Sequence, residues 1–127
     1  MREILFRGKD IISGEWIIGF LVSEKHIGNW VKCEPVIPET VGQFTGLTDK
    51  NGKKIFEGDI VESKFTKRPY SVCFGEYTYI DEYGDESSAC GWYNEEAGGY
   101  GTAFGNPDDW ATVIGNIHDN PELLELE

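Results

Sequence analysis

Short apolar runs, separated by turn residues such as Gly, Pro, Asn and Asp, recur along the chain, and this pattern predicts a mainly β fold. Residues 4–7 and 16–22 form the first two such runs, and Ser13-Gly14 between them predicts a hairpin. The alternation at 4–7 suits an edge strand or a partly buried one, and Gly19 marks a bulge or a close backbone approach. In residues 29–40 two prolines interrupt the pattern, which predicts a short strand followed by an extended connection.

A meander of short strands is predicted next. The sequence Asp49-Lys50-Asn51-Gly52 is a strong turn signal within residues 43–56, because Asn and Gly tolerate the positive φ that tight hairpins require. A second turn at 57–59 precedes a strand over 60–65. The Gly-Asp pair of that second turn is interpreted as a structural corner, not as catalytic.

The second half of the chain begins with one long predicted strand over residues 70–80, in which Gly75 is expected to introduce a bend. From residue 81 to 109 the pattern dissolves into Gly, Asp, Glu and aromatic residues, which predicts a long loop of the kind that is often functional or mobile.

The C-terminal segment combines a strand and a helix start. Residues 110–117 restore the strand pattern, with a bulge expected at Gly115. Asn120 is predicted to cap a short C-terminal helix, because Pro121 suits the first helical position and an acidic residue follows it.

Charge divides the chain into two unequal halves. The net charge is −12, but residues 1–68 hold all 11 Lys and Arg with 10 acids, whereas residues 69–127 hold 13 acids and no base. The acidic half also holds all six tyrosines. Such a field repels nucleic-acid backbones and attracts a basic partner, although acids also serve simply to keep an aromatic-rich surface soluble.

A smaller basic segment lies at residues 50–68, where six Lys and Arg alternate with three acids, and Asp49 directly before it brings the net charge to +2. It is the one candidate surface for nucleic acid, and with a net charge of only +2 it ranks below protein binding. A basic edge and an acidic half in one chain also predict contacts between copies, as a head-to-tail or ring-shaped homo-oligomer.

Candidate chemistry is sparse, and no catalytic residue, cofactor or metal site is predicted. The three cysteines have no zinc-binding or disulfide spacing, with Cys73 expected to be a buried reduced thiol and Cys90 exposed. The glycine-rich 98–105 stretch lacks the Gly-Lys-Ser/Thr ending of a phosphate-binding loop. Residues 81–86 gather four carboxylates, which favours a solvated acidic loop over a calcium site because the spacing is not that of an EF-hand.

The preferred functional surface is the acidic, aromatic span 76–110. Tyr and Trp are favoured at the centres of protein interfaces, and a small β core cannot bury so many of them, although about half are expected to point inward. The predicted partner-binding residues are Tyr77, Tyr79, Tyr83, Trp92, Tyr93, Tyr100 and Trp110.

Three segments resemble a known family. "ETVGQFTGLTDKNGKKIFEGDIV", "VIGNIHDNPELLE" and the opening "MREILFRGKD" are similar to the signature segments of the YopX family of phage and prophage proteins. The resemblance implies a single domain over 1–127, with N-terminal strands in 1–40, an SH3-like barrel core in 41–127 and a variable acidic insertion near 76–109. It supplies no catalytic residues. The residues that recur are expected to be turn and cap positions: Gly42, Gly46, Asn51, Gly52, Gly58, Asp59, Gly115, Asn120 and Pro121.

The resemblance also implies a phage or prophage origin and a place in the cytoplasm of a bacterial host. The residues agree with that location, because the N-terminus shows no targeting segment and the longest apolar run, 16–22, is too short to span a bilayer. The expected function is therefore that of a phage-encoded, non-enzymatic interaction or assembly module that binds a host or phage protein.

Overall fold

A computed structural model describes residues 5–23, 26–28, 33–95, 101–103 and 107–124. The fold is mainly β, as predicted, and the chain divides into two compact units, Met1–Gly46 and Leu47–Glu127. The strands of the first unit are β1 (Phe6–Lys9), β2 (Trp16–Ser23), β3 (His26–Gly28), β4 (Cys33–Pro35) and β5 (Gly42–Thr48), the last of which runs into the second unit. The second unit contains β6 (Lys54–Phe56), β7 (Asp59–Ser63), β8 (Pro69–Ile80), β9 (Glu86–Glu95), β10 (Gly101–Ala103) and β11 (Ala111–Asn116). Three single helical turns complete the described elements: the 3-10 turns η1 (Pro38–Thr40) and η2 (Pro121–Leu124), and the α-helical turn α1 (Pro107–Trp110).

The first unit is an antiparallel sheet in the order β4-β3-β2-β1-β5. β1 pairs with both β2 and β5 and is partly buried, so of the two predicted alternatives it is not the edge strand. Beyond β4 the chain returns to the end of β1, where the Ile37 amide donates to the Lys9 carbonyl at 2.9 Å. The close approach predicted at Gly19 is confirmed, because a Cβ there would lie 2.5 Å from the carbonyl oxygen of Gly28.

The second unit contains an antiparallel sheet in the order β10-β9-β8-β7-β11. Its core is a cluster of four fully buried apolar residues, with partly buried aromatic and aliphatic side chains around it. The pairing of β11 with β7 shifts register between Val113 and Gly115, which confirms the predicted bulge. The core cluster consists of Ile55, Val61, Val72 and Ala111, and its neighbours are Leu47, Tyr70, Trp92, Trp110 and Val113.

The prediction of a long loop over 81–109 is wrong for most of the described residues in that range. Only residues 81–85 form a turn, and β9 then pairs with β8 along ten residue pairs, from Ile80↔Glu86 to Ser71↔Glu95. β10 and α1 follow within the same span. Residues 86–95 thus form the second strand of a β-hairpin, in which small residues such as Ala89 occupy strand positions that propensity disfavours.

The C-terminal helix is reduced to the single 3-10 turn η2. Pro121 begins it, as predicted, but the Asn120 side-chain oxygen accepts from the Asn116 amide at 3.3 Å and so closes the preceding corner. The Asn116 side-chain oxygen in turn accepts from the amides of His118 and Asp119 at 3.0 and 2.9 Å. The pairings of the described strands leave both sheets open, so the SH3-like barrel stays a prediction.

Two hairpins share one turn geometry, although only the first was predicted. In each, an aspartate Oδ1 accepts from the amides two and four residues later, and the glycine three residues later adopts a positive φ. Asp49 Oδ1 bonds the amides of Asn51 and Lys53, both at 2.9 Å, and Gly52 has φ +82°. Asp81 repeats this arrangement across the β8–β9 turn. The turn chemistry Asp-x-x-Gly thus fixes the register of both hairpins.

Candidate protein-interaction surface

The far part of the β8–β9 hairpin, residues 74–92, is called the hairpin arm below. β7 pairs with β8 only at residues 69–71, and β10 pairs with β9 only at 93–95. Among the described strands, the two strands of the arm therefore pair only with each other. An isolated two-stranded hairpin is marginally stable in water, so its side chains must supply the remaining stabilisation.

One face of the hairpin carries three tyrosines, and Tyr77, Tyr79 and Tyr93 are together called the tyrosine face. The rings of Tyr77 and Tyr93 stack with centroids 4.7 Å apart, and Tyr79 lies 6.1 Å from Tyr77. All three side chains are half-buried. Aromatic pairs contribute about 0.5–1.5 kcal/mol beyond the area that they bury, so this row stabilises the hairpin and still presents ring surface to a partner.

The opposite face connects the arm to the core. Phe74 and Trp92 are direct cross-strand partners, and their rings meet edge to face at 4.9 Å. Trp92 also packs against the core cluster, whereas Phe74 is 58% exposed. Ile80, at the far end of the same face, is exposed as well. Neither Phe74 nor Ile80 was predicted as a binding residue, although the alternation along 70–80 places both on one side of the strand.

The tip of the arm is acidic and exposes an aromatic ring. Tyr83 is 82% exposed. The Asp81 carboxylate accepts from the Tyr83 and Asp85 amides through Oδ1 and from the Ser87 hydroxyl through Oδ2 at 3.0 Å. Together these hydrogen bonds, of which the one from Asp85 is strongest, lower the pKa of Asp81. Both oxygens of the Asp81 carboxylate thus accept hydrogen bonds from residues of the turn and of β9.

The electrostatic character of the arm is uniform. Residues 74–92 contain five acids and no Lys or Arg. Within the described ranges, no three His, Cys, Asp or Glu side chains form a group able to hold a metal ion. The arm thus combines five acidic residues with the exposed rings of Phe74 and Tyr83.

The two thiols of the hairpin, one on each strand, differ in environment. Cys73 is half-buried, and its Sγ lies 3.6 Å from a Glu95 carboxylate oxygen. Burial raises the pKa of this thiol, and the Glu95 charge adds to the effect against an opposing hydrogen bond from Ser71. A protonated thiol is a poor nucleophile. Cys90 is exposed, as predicted.

The seven predicted binding residues fall into separate places. Tyr77, Tyr79 and Tyr93 come together on the tyrosine face, and Tyr83 lies alone at the tip. Trp92 and Trp110 are half-buried against the core cluster, which agrees with the expectation that some of these aromatic residues point inward. Tyr100 lies outside the described residues.

The basic segment 50–68 forms two exposed turns beside one stretch of backbone. The Lys50 amide donates to the Ala111 carbonyl, and the Lys64 amide donates to the Trp110 carbonyl, both at 3.0 Å. The Lys64 ammonium also lies 3.4 Å from an Asp109 carboxylate oxygen. Both turns therefore lie next to acidic α1, which offsets part of their positive charge.

Comparison with known proteins decides the family. The family model described as "YopX protein" matches residues 7–125. The chain belongs to the YopX family. The crystal structure of protein EF1440 from Enterococcus faecalis is similar to this YopX protein, with 26% identity over 98% of this chain and 100% of that chain, and a TM-score of 0.56. No curated protein matches the chain.

The signature segments of this YopX protein lie in its scaffold. Gly52 and Gly58 adopt φ values of +82° and +90°, where an L-residue would be strained. A Cβ on Gly115 would lie 2.6 Å from the Asn120 side-chain oxygen that closes the C-terminal corner. These positions are explained by turns and close contacts, so the family signature leaves the hairpin arm as the candidate site. Within the described ranges, no helix has the length and apolar character needed to cross a membrane.

Proposed function

We propose that this YopX protein is a phage-encoded, cytoplasmic and non-enzymatic interaction module whose hairpin arm binds a basic protein partner. One observation carries the proposal: the arm combines exposed rings with five carboxylates and no base, beyond the point where neighbouring strands pair. Exposed aromatic groups in a charged rim are typical of recognition surfaces, in which the rings supply affinity and the charges supply specificity.

The geometry favours a protein over a small ligand. Phe74 and Tyr83 lie on a two-stranded ribbon and its tip, where a small molecule would bury little of its surface. A basic partner that covers the arm would bury both rings and pair with the acids. Its association rate would fall as salt screens the negative surface.

The experiment compares capture of host or phage proteins by the wild type and by an arm variant, Glu82→Lys/Tyr83→Ala. Both side chains are exposed, so the fold should persist. The matched control is Glu39→Lys/Ile12→Ala, which makes the same charge change and also removes an exposed apolar side chain, but in the first unit. We expect the arm variant to lose basic partners that the control retains. Equal capture by all three proteins would remove the arm as the binding surface.

A second candidate function is nucleic-acid binding by the basic segment 50–68. The observation that favours it is Phe65, which is 73% exposed between Lys64 and Lys67, because exposed rings with cations form stacking platforms for single strands. The net charge of −12 opposes it. A gel shift with single-stranded and duplex DNA at low salt separates the two classes, since this alternative requires a shift that disappears with added salt and with Phe65→Ala.

A further inference from the structure

The loop between β7 and β8, residues 64–68, is called the basic loop, and its backbone is held firmly. The Ser63 side-chain oxygen accepts from the amides of Phe65 and Thr66 at 3.2 and 3.5 Å. The Lys67 amide donates to the Ser63 carbonyl at 2.8 Å, and the Ser63 amide donates to the Arg68 carbonyl at 3.2 Å. These bonds close the loop against the end of β7.

The conformation that results is a costly one. Lys67 has a φ of +60°, and it is the one non-glycine residue with a positive φ among the described residues. Phe65 is presented outward, with the Lys64 ammonium 5.0 Å from the centre of its ring. A strained backbone position two residues from an exposed ring is an observation from which a binding role can be inferred.

We infer that the basic loop binds the hairpin arm of a second copy of this chain, with Phe65 against the tyrosine face and the tip. This inference rests on the proposed function of the arm and names its partner. Lys64, Lys67 and Arg68 flank Phe65 in the sequence, with the Lys64 ammonium over its ring and against Asp109, and the arm supplies five acidic residues in the sequence around its rings. Cations over Tyr rings add an electrostatic attraction to the ring faces.

The contact with the tip must be between copies because the basic loop and the tip lie at opposite ends of β8. The basic loop ends where β8 begins, at Pro69, and the tip of the arm begins after Ile80. Eleven strand steps of about 3.3 Å separate these ends by roughly 36 Å. One chain thus carries complementary surfaces that point to two different neighbours, which is a heterologous, head-to-tail arrangement that forms a ring or an open chain.

A nucleic acid is the less favoured occupant of the basic loop. The acidic residues of α1, one of which lies against Lys64, oppose phosphates and arm carboxylates alike, so the choice between these occupants depends on their availability. The arm of another copy is present at the same concentration as the loop and has the matching charge.

The test measures self-association of the full chain by sedimentation velocity over a range of protein concentrations and at two salt concentrations. The variants are Phe65→Ala, the arm variant Glu82→Lys/Tyr83→Ala, and the control Glu39→Lys/Ile12→Ala. We expect concentration-dependent assembly of the wild type and the control, weaker assembly at high salt, and at least about tenfold weaker assembly of each interface variant, as for the loss of one interface anchor.

Mixing the two interface variants gives the decisive result. Each has one weakened surface, so at concentrations where neither variant assembles alone, a 1:1 mixture retains one intact loop–arm contact and should form a heterodimer. A wild type that is monomeric at all concentrations would overturn the inference, and so would a mixture that stays monomeric.

Failure of this inference is distinguishable from failure of the proposed function. If the arm variant loses assembly and captured partners while Phe65→Ala assembles normally, the arm is the binding surface and the basic loop is not its partner. If Phe65→Ala abolishes a DNA shift and leaves assembly unchanged, the loop binds nucleic acid and the inference is wrong. If the arm variant captures partners and self-associates as the wild type does, both proposals fail.

Discussion

The twin Asp-x-x-Gly turns offer a matched comparison of a buried and an accessible carboxylate. Asp49 and Asp81 bond the same two local amides through Oδ1, but their Oδ2 atoms have different partners. Asp49 Oδ2 accepts from the backbone amide of Val113 at 3.0 Å, whereas Asp81 Oδ2 accepts from the Ser87 hydroxyl. Replacing each aspartate by asparagine changes Oδ2 into an NH₂ group and leaves the shape of the side chain almost unchanged.

The expected cost follows from the chemistry of those partners. Asp49 is 2% exposed, so in Asp49→Asn the Val113 amide faces another donor in a buried site and loses its acceptor. Leaving a buried donor unsatisfied costs about 1–3 kcal/mol, and the two remaining bonds also weaken when their acceptor loses its charge. We therefore expect the free energy of unfolding to fall by about 2–4 kcal/mol. The Ser87 hydroxyl can rotate and accept, so Asp81→Asn should leave stability close to that of the wild type.

Urea unfolding followed by tryptophan fluorescence measures both changes. With a slope of about 1–3 kcal/mol per molar urea, Asp49→Asn should lower the midpoint by about 1–2 M, and Asp81→Asn should leave it nearly unchanged. Equal slopes for the three proteins would show that the comparison concerns stability alone. Equal losses in the two variants, or a midpoint of Asp49→Asn that matches the wild type, would refute the assignment of Val113 as the decisive partner.

Three further predictions concern pH, packing and thiol chemistry. Burial alone raises the pKa of Asp49, but the hydrogen bonds from the amides of Val113, Lys53 and Asn51 outweigh it and lower the pKa below 3.8. In urea titrations, the difference in unfolding free energy between wild type and Asp49→Asn should therefore be constant above about pH 5 and become smaller below pH 3.8. Gly19→Ala should lower the free energy of unfolding by about 1–3 kcal/mol in the same assay, because the new methyl would overlap the Gly28 carbonyl. In the native protein, iodoacetamide should label Cys90 faster than Cys73, as peptide mass spectrometry can measure; equal rates would contradict the protected environment of Cys73.

Sequence alone predicts those parts of the fold in which local chemistry and burial agree. The 49–52 turn is specified by an Asp that accepts amides and by a Gly that adopts a positive φ, and both signals are visible in four residues. The bulge at Gly115 and the close approach at Gly19 are similarly local. The reversal of the chain beyond β4 was not predictable in this way, because its bonds join Lys9 and Asp10 to residues near 36 through long-range pairing.

The sequence pattern failed to predict strand β9 at residues 86–95 for a different reason, which is that few of its residues are buried. Alternation of apolar and polar residues appears where one face of a strand is buried and the other is exposed. β9 satisfies that condition only at its base, where Trp92 and Asn94 face the core side, and its outer residues Ser88 and Cys90 are exposed on that same face. A strand without a fully buried face has no reason to alternate, so the weak pattern fits an arm whose strands pair only with each other among the described residues. The aromatic residues that do occur on it, Tyr77 stacked on Tyr93 and Phe74 against Trp92, hold two strands together without enclosing them. These rings hold the two strands together and still keep part of their surface accessible, which is the feature on which the proposed binding role of the hairpin arm rests.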